Sequence, residues 1–497
     1  METTTVNSPQ HKTRGKRNRK IKGLYNWHSI IGLITILPVI SWTLSGLMHP
    51  FMAHFFKPEI ANTFLIPNPI VPESLMVQPK EALESIGASE FKSIRAVNWE
   101  DQTFYQIKTR DDNWVYVNTE TGEALPDADR QYSEYLARKF MDDHESPMLS
   151  AVVQEEFDNV YKYVNRLLPV WRLDVERSDR MTIYVDTASD KLGTFNTSSR
   201  KAFLWFFSTF HNWSWLEGIS NLWWRTTVMI LLLGIIAASS ISGLVIYGFM
   251  WNRFKKPSSG NKKGLLRKYH RQIGLATALV TLTFAFSGAY QATSKYTPNV
   301  LPSMAYEPLL QTSAINTSLE ELLFPSSSIL NFGIVKMEGQ HYYQLRISKG
   351  KGQPPTWEYF NASDGSQLKN GDEQYAIYLS GIFAEKMGQK LSEPSLNSVE
   401  EQREFNHEYG FIFKRLPVQK IEFGDSDQHA HYIETGTSRL AASIANPDRA
   451  RGFTFAVLHK FFFMDWAGKT IRDLVMMVSA LGVLVVSLFG FMLFLKK

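Results

Sequence analysis

The chain has 497 residues, 53 lysines and arginines against 48 acids, a net charge of +5 and a mean hydropathy of −0.19. That length exceeds one compact domain, and so low a mean hydropathy makes any membrane signal a local one. With no cysteine, disulfides, thiolate-held Fe–S clusters and thiolate nucleophiles are excluded, so a metal or cofactor must be held by His, Met or oxygen ligands.

Residues 1–28 form a basic arm that includes Lys12, Arg14, Lys16, Arg17, Arg19 and Lys20. An apolar run at 29–50 follows it, long enough to cross a bilayer. Similar runs lie at 226–250, 272–292 and 474–495. The loop at 251–271 carries Arg253, Lys255, Lys256, Lys262, Lys263, Arg267 and Lys268, and Lys496 and Lys497 end the chain. Each basic cluster adjoins a span, which points to the positive-inside rule rather than to nucleic acid. Both termini and this loop are then cytoplasmic. The first run is too long for a cleavable signal and has no small-residue cleavage site after it.

The segments 51–200 and 293–450 are expected outside. Tyr105–Lys108, Trp114–Val117 and Thr182–Asp186 alternate as half-buried strands, with Asn118–Gly122 as a turn. Tyr342–Ile347, Trp357–Phe360 and His431–Glu434 do the same in the second segment, with Asn361–Gly365 as the turn. Helical stretches are expected around 130–141 and 372–387. The reading is two small α+β modules per outer segment.

The halves correspond. His28 and His270, Gly32 and Gly274, and Gly46 and Gly288 all stand 242 residues apart. Tyr161–Tyr184 aligns with Tyr409–Tyr432 at an offset of 248. Aromatic interfacial segments at 201–225 and 451–473 hold His211 and His459, also 248 apart, ahead of Arg225 and Arg472. The expected fold is an α-helical membrane protein, with four transmembrane helices in two tandem repeats and α+β modules inserted between helices 1–2 and 3–4.

The histidines sort by side. His28 and His270 fall at cytoplasmic ends of spans, His211 and His459 near external ends. His49 is at the external end of span one, where the other half has Gln291. On a helix, Gly32 and Gly46 share the face of His28, which suits either a close helix contact or a flat ligand. Neutral imidazole ligates haem iron, and a bis-histidine site takes one ring from each of two helices. The pairs would be His28 with His270 and His211 with His459. A proton relay, a metal-ion path and simple packing are the other readings. No Asp or Glu lies inside a span, which counts against proton or cation transport. There is no GxGxxG after a strand, P-loop, HExxH or GxSxG. His429 and His431 read as surface residues.

His28 with Gly32 and Ser45-Gly46, their counterparts at His270, and the aromatic segments around His211 and His459 resemble the PepSY-associated transmembrane family. The Asn118–Gly122 turn resembles that of PepSY modules. The resemblance implies an inner-membrane protein with both termini cytoplasmic and PepSY-like regions in the periplasm. It implies two b-type haems on His28, His270, His211 and His459, with His49 a competing outer ligand. A cytoplasmic or quinol donor would supply electrons, and a ferric siderophore or other ferric chelate would receive them. A membrane-anchored PepSY sensor or binding module, or a siderophore or solute transporter without redox activity, are the alternatives it leaves.

Overall fold

The computed structural model describes residues 9–70, 74–249, 262–297, 300–322, 328–350, 353–391 and 396–496. The basic residues Arg253, Lys255, Lys256 and Lys497 lie outside the described residues. In chain order, α1 (Pro9–Phe55) leads to α2 (Pro79–Ser85), β1 (Glu90–Trp99), β2 (Gln102–Thr109), β3 (Trp114–Asn118), β4 (Ala124–Leu125) and α3 (Ala128–Met141). Then come β5 (Met148–Gln154), β6 (Val170–Val175), β7 (Thr182–Asp186), β8 (Lys191–Asn196), α4 (Ser198–Phe210) and α5 (Leu222–Phe249). The second half runs α6 (Lys262–Ala292), β9 (Leu310–Gln311), α7 (Leu319–Leu322), β10 (Ser328–Met337), β11 (Gln340–Ser348), β12 (Thr356–Asn361), β13 (Gln367–Leu368) and α8 (Gly371–Lys386). It closes with β14 (Leu396–Gln402), β15 (Val418–Phe423), β16 (Ala430–Glu434), β17 (Arg439–Ile444), α9 (Asn446–Leu458) and α10 (Lys469–Leu495).

Two compact units result: one from 1–57, 200–298 and 448–497, the other from 58–199 and 299–447. The first holds four helices long and apolar enough to cross a membrane, Gly23–Phe55, Leu222–Gly248, Lys262–Tyr296 and Lys469–Leu495. The chain is thus a membrane protein with α+β regions inserted between apolar helices. α5 packs along α1 and α6, and α10 along α1 and α6, so α1 and α6 sit diagonally in a four-helix ring. Val39, Ile236, Ala285 and Val483, one from each helix, fill its centre.

Asp473 corrects one expectation from the sequence. The last helix begins at Lys469, so it includes this acid, which is buried and accepts a 3.0 Å hydrogen bond from His54 Nε2. The hydrogen bond offsets the cost of burying this polar group at the helix end.

The other unit, called the outer unit after the expectation from the sequence, is built on one sheet shared by both segments, in the order β13-β12-β11-β10-β1-β2-β3-β4, with β9 added on β1. The two segments join where β1 pairs antiparallel with β10, with Arg95 opposite Gly333. Ala82 and Leu83 of α2, Leu319 and Leu322 of α7, and Tyr105 and Leu345 share a core on one face. On the other face, α3 lies between this sheet and the four-stranded sheet β5-β6-β7-β8, through Tyr116, Leu136, Phe140, Leu173 and Ile183. α8 does the same before β14-β15-β16-β17. The expected strands and helices are present, but the first modules of the two segments are fused rather than separate.

Fusion and layering change the burial. β7 and β16 are buried on both faces, not half-buried. His431 is therefore a core residue with 0% exposure, bonded to Ser380 Oγ at 2.8 Å and Gln389 Oε1 at 2.9 Å. The surface reading of His431 fails because its strand is central, and His429 instead pairs with Asp425 at 2.7 Å. The Asn118 turn forms as an Asx-turn, its Oδ1 accepting from Glu120 N and Thr121 N, with Gly122 at φ +75°.

Candidate functional site: two histidine pairs in the helical unit

His28 stands on α1 and His270 on the diagonal helix α6. Their ring centres are 6.3 Å apart and their planes are inclined at 59°. His28 Nδ1 is 3.1 Å from the Ser239 carbonyl and 2.9 Å from Ser242 Oγ. His270 Nδ1 is 3.0 Å from the Val486 carbonyl. A carbonyl oxygen only accepts, so Nδ1 carries the proton in both rings and Nε2 is left as the base.

Each ring also rests on a glycine of the neighbouring helix. A Cβ on Gly243 would lie 3.3 Å from His28 Cε1, and one on Gly490 would lie 3.1 Å from His270 Cε1. The rings occupy the space that any larger residue would take. By contrast, a Cβ on Gly32 or Gly46 would meet nothing within 4 Å, so neither glycine serves a close helix contact.

His211 and His459 follow a second common pattern, at the turns that end α4 and α9. His211 Nδ1 is 3.0 Å from Ser45 Oγ, and His459 Nδ1 is 3.1 Å from Ser287 Oγ. Both hydroxyls already donate backward, Ser45 to the Ser41 carbonyl at 2.7 Å and Ser287 to the Thr283 carbonyl at 2.6 Å. They therefore accept from the imidazoles, and again Nδ1 carries the proton. Phe207 stacks on His211 at 4.4 Å and 14°, and Phe455 on His459 at 4.7 Å and 15°. Trp42 Nε1 holds the His211 carbonyl at 2.9 Å. Burial, helped by the nearby His459, pushes His211 down to about 3, and burial pushes His459 down to about 4. Both imidazoles are neutral at pH 7.

Among the described residues no side chain bonds Nε2 of any of the four rings. His49 stands apart from the pattern. Its ring is 6.0 Å from Phe207, on whose ring His211 stacks. Among the described residues, no three His, Asp or Glu side chains gather as a metal cage. What the residues offer is four imidazoles held through Nδ1, with His28 facing His270. Two imidazoles that held one metal ion at about 2 Å each would have ring centres about 6 Å apart. The 6.3 Å between His28 and His270 fits that donor set.

The repeat spacing marks the histidines but not the groups that fix them. Ser45 and Ser287 appeared only as neighbours of glycine. Gly243 and Gly490 were missed, although their separation of 247 equals that of Arg225 and Arg472.

Compared with known families, residues 26–497 match the family model described as the PepSY-associated TM region. No curated protein matches the chain.

Proposed function

The chain belongs to the PepSY-associated TM region family, and on that premise we propose that it is a haem b protein that carries electrons across an inner membrane to a ferric siderophore or other ferric chelate. In this reading both termini are cytoplasmic, the outer unit is periplasmic, the two halves are a tandem duplication, and the donor is a cytoplasmic-side reductant or a quinol. The observation that carries it is the common design of four imidazoles, each with Nδ1 engaged and, among the described residues, no side chain on Nε2.

His28 and His270 would hold the inner haem, and His211 and His459 the outer one. Bound there, haem b supplies one-electron transfer between Fe(III) and Fe(II). The protein's own part is to orient the ligands. Ser242, Ser45 and Ser287 and the Ser239 and Val486 carbonyls fix the tautomers, so that the lone pair is on Nε2. Gly243 and Gly490 let the rings lie close to the helices. Reduction of the chelate to Fe(II) weakens binding by hard oxygen donors and frees the iron.

A reduced-minus-oxidised absorption spectrum of the purified chain, with haem-to-protein stoichiometry, tests this. A b-type spectrum with about two haems per chain is expected, as bis-histidine ligation at two sites requires. Replacement of His28 or His270 by alanine should abolish ferric reduction. A haem-free protein after haem-supplemented expression overturns the reading.

A further inference from the structure

The outer unit contains a small cavity, of about 10 Å³, lined by three arginines, Arg166, Arg415 and Arg439, and by the apolar Leu301, Leu440 and Ala441. That is the room of about one water-sized sphere. Arg166 belongs to the first outer segment, Arg415 and Arg439 to the second. Among the described residues no carboxylate lines this cavity.

Arg166 lacks an acid. Its guanidinium lies over the Tyr163 ring at 4.1 Å and the Phe413 ring at 5.1 Å, and Nη1 donates to Tyr163 OH. Nε is buried and has no hydrogen-bond partner. Burial alone pushes Arg166 down to about 10, with no neighbouring charge to oppose it. A buried donor left unmade is costly, and more so on a charged group.

The other two arginines are underpaired for a different reason. Arg439 stands opposite Glu434 in the strand pair of β16 and β17. Glu434, however, is engaged by Arg415 Nη1 at 2.5 Å, by Lys191 and by Thr437. Arg439 is left with the Leu168 carbonyl at 3.2 Å and Glu307 at 3.5 Å. Glu307 itself accepts from Lys108 at 2.6 Å. Burial and the charge of Arg415 push Arg439 below its ordinary value. The other half does not repeat the set. At the offset of 248, Arg415 is matched by Leu167, Arg439 by Lys191 and Arg166 by Lys414. Lys191 bonds Glu434 and Lys414 bonds Asn165 Oδ1 at 3.3 Å.

We propose that this cavity binds one small monovalent anion of the halide class, which accepts a hydrogen bond from Arg166 Nε and lies against the guanidiniums of Arg415 and Arg439. An anion meets the unmade donor and offsets the mutual repulsion of buried positive charges, which a neutral water does only in part. The volume admits a monatomic ion and excludes sulfate, phosphate or a carboxylate ligand. Because the arginines come from both outer segments, the ion ties one segment to the other. The site does not depend on haem, so its failure and that of the redox reading are separate results.

Chloride NMR line broadening on the full chain in detergent, in gluconate buffer, tests it. One saturable site per chain is expected, displaced by bromide and not by sulfate. Arg166→Met should weaken chloride binding about tenfold or more, the worth of one charged hydrogen bond, while haem content is unchanged. If that variant does not fold, anomalous diffraction from native crystals grown in bromide decides the matter, with a peak expected among Arg166, Arg415 and Arg439. No saturable binding, displacement by sulfate, affinity unchanged in Arg166→Met, or no bromide peak at the three arginines overturns the proposal.

Discussion

Gly490 lies against the His270 ring as Gly243 lies against His28, with the missing Cβ atoms 3.1 and 3.3 Å from the respective Cε1 atoms. Both helix neighbours are cut away at the level of the imidazole. Gly490→Val should therefore displace His270 at an overpacking cost of about 1–3 kcal/mol. On the proposed haem reading, the expected result is loss of about one haem per chain, the one that His270 would help to hold. Haem titration against protein concentration checks it, with thermal melting as the control for the fold.

Ser45 and Ser287 act through His211 and His459. Ser45→Ala or Ser287→Ala leaves the imidazole in place but removes the group that fixes its tautomer. On the proposed reading, affinity for the haem that His211 and His459 would hold should fall about 10- to 100-fold, the usual loss when a ligand's supporting bond is removed. Competitive transfer of haem to apomyoglobin measures this. Affinity equal to the native protein's would show that the serines do not orient the rings.

The outer unit should lose stability in acid in two stages. Burial pushes His431 down to about 3 in the fold, against an ordinary value of about 6.5 when unfolded. Below about 6.5 the unfolded chain binds a proton that the folded chain refuses, so stability falls as pH drops from there toward 3. Glu434 is held at about 2, by the charges of Lys191 and Arg415 working against its burial. Its contribution is present above about 4.5 and is lost as pH falls toward 2. Melting temperatures from pH 8 to pH 4 should decline, and His431→Gln should flatten the upper stage.

The Glu434 cluster also sets a mutational expectation. Arg415 Nη1 bonds Glu434 at 2.5 Å, and both side chains are buried. Arg415→Met leaves the carboxylate short of a partner and should cost the outer unit about 3–5 kcal/mol. Limited proteolysis of the outer segments reads this out, and Glu434→Gln on the same background should recover part of the loss.

Particular residues show how far the sequence could be read. The four histidines were legible because identical spacings recur in apolar or aromatic runs, and strands such as Tyr342–Ile347 because alternation is local. The β1–β10 pairing was not, since nothing near Arg95 specifies that Gly333, far along the chain, lies opposite it. His431 was misread because alternation does not tell whether a second layer covers the outer face. Asp473 was placed outside its helix because hydropathy alone drew the span from 474. Gly243 was silent because a glycine in an apolar helix has no mark to distinguish contact with an imidazole from contact with another helix.

The shared sheet has a consequence for how the protein is made. β1 ends at Trp99, and its partner β10 begins only at Ser328. During synthesis the first outer segment must wait with an open edge strand while two spanning helices and the intervening loop are completed. An unpaired edge is a template for wrong pairing. Newborn chains stalled before Ser328 are thus the aggregation-prone species, and a holding chaperone should act on them rather than on the finished protein.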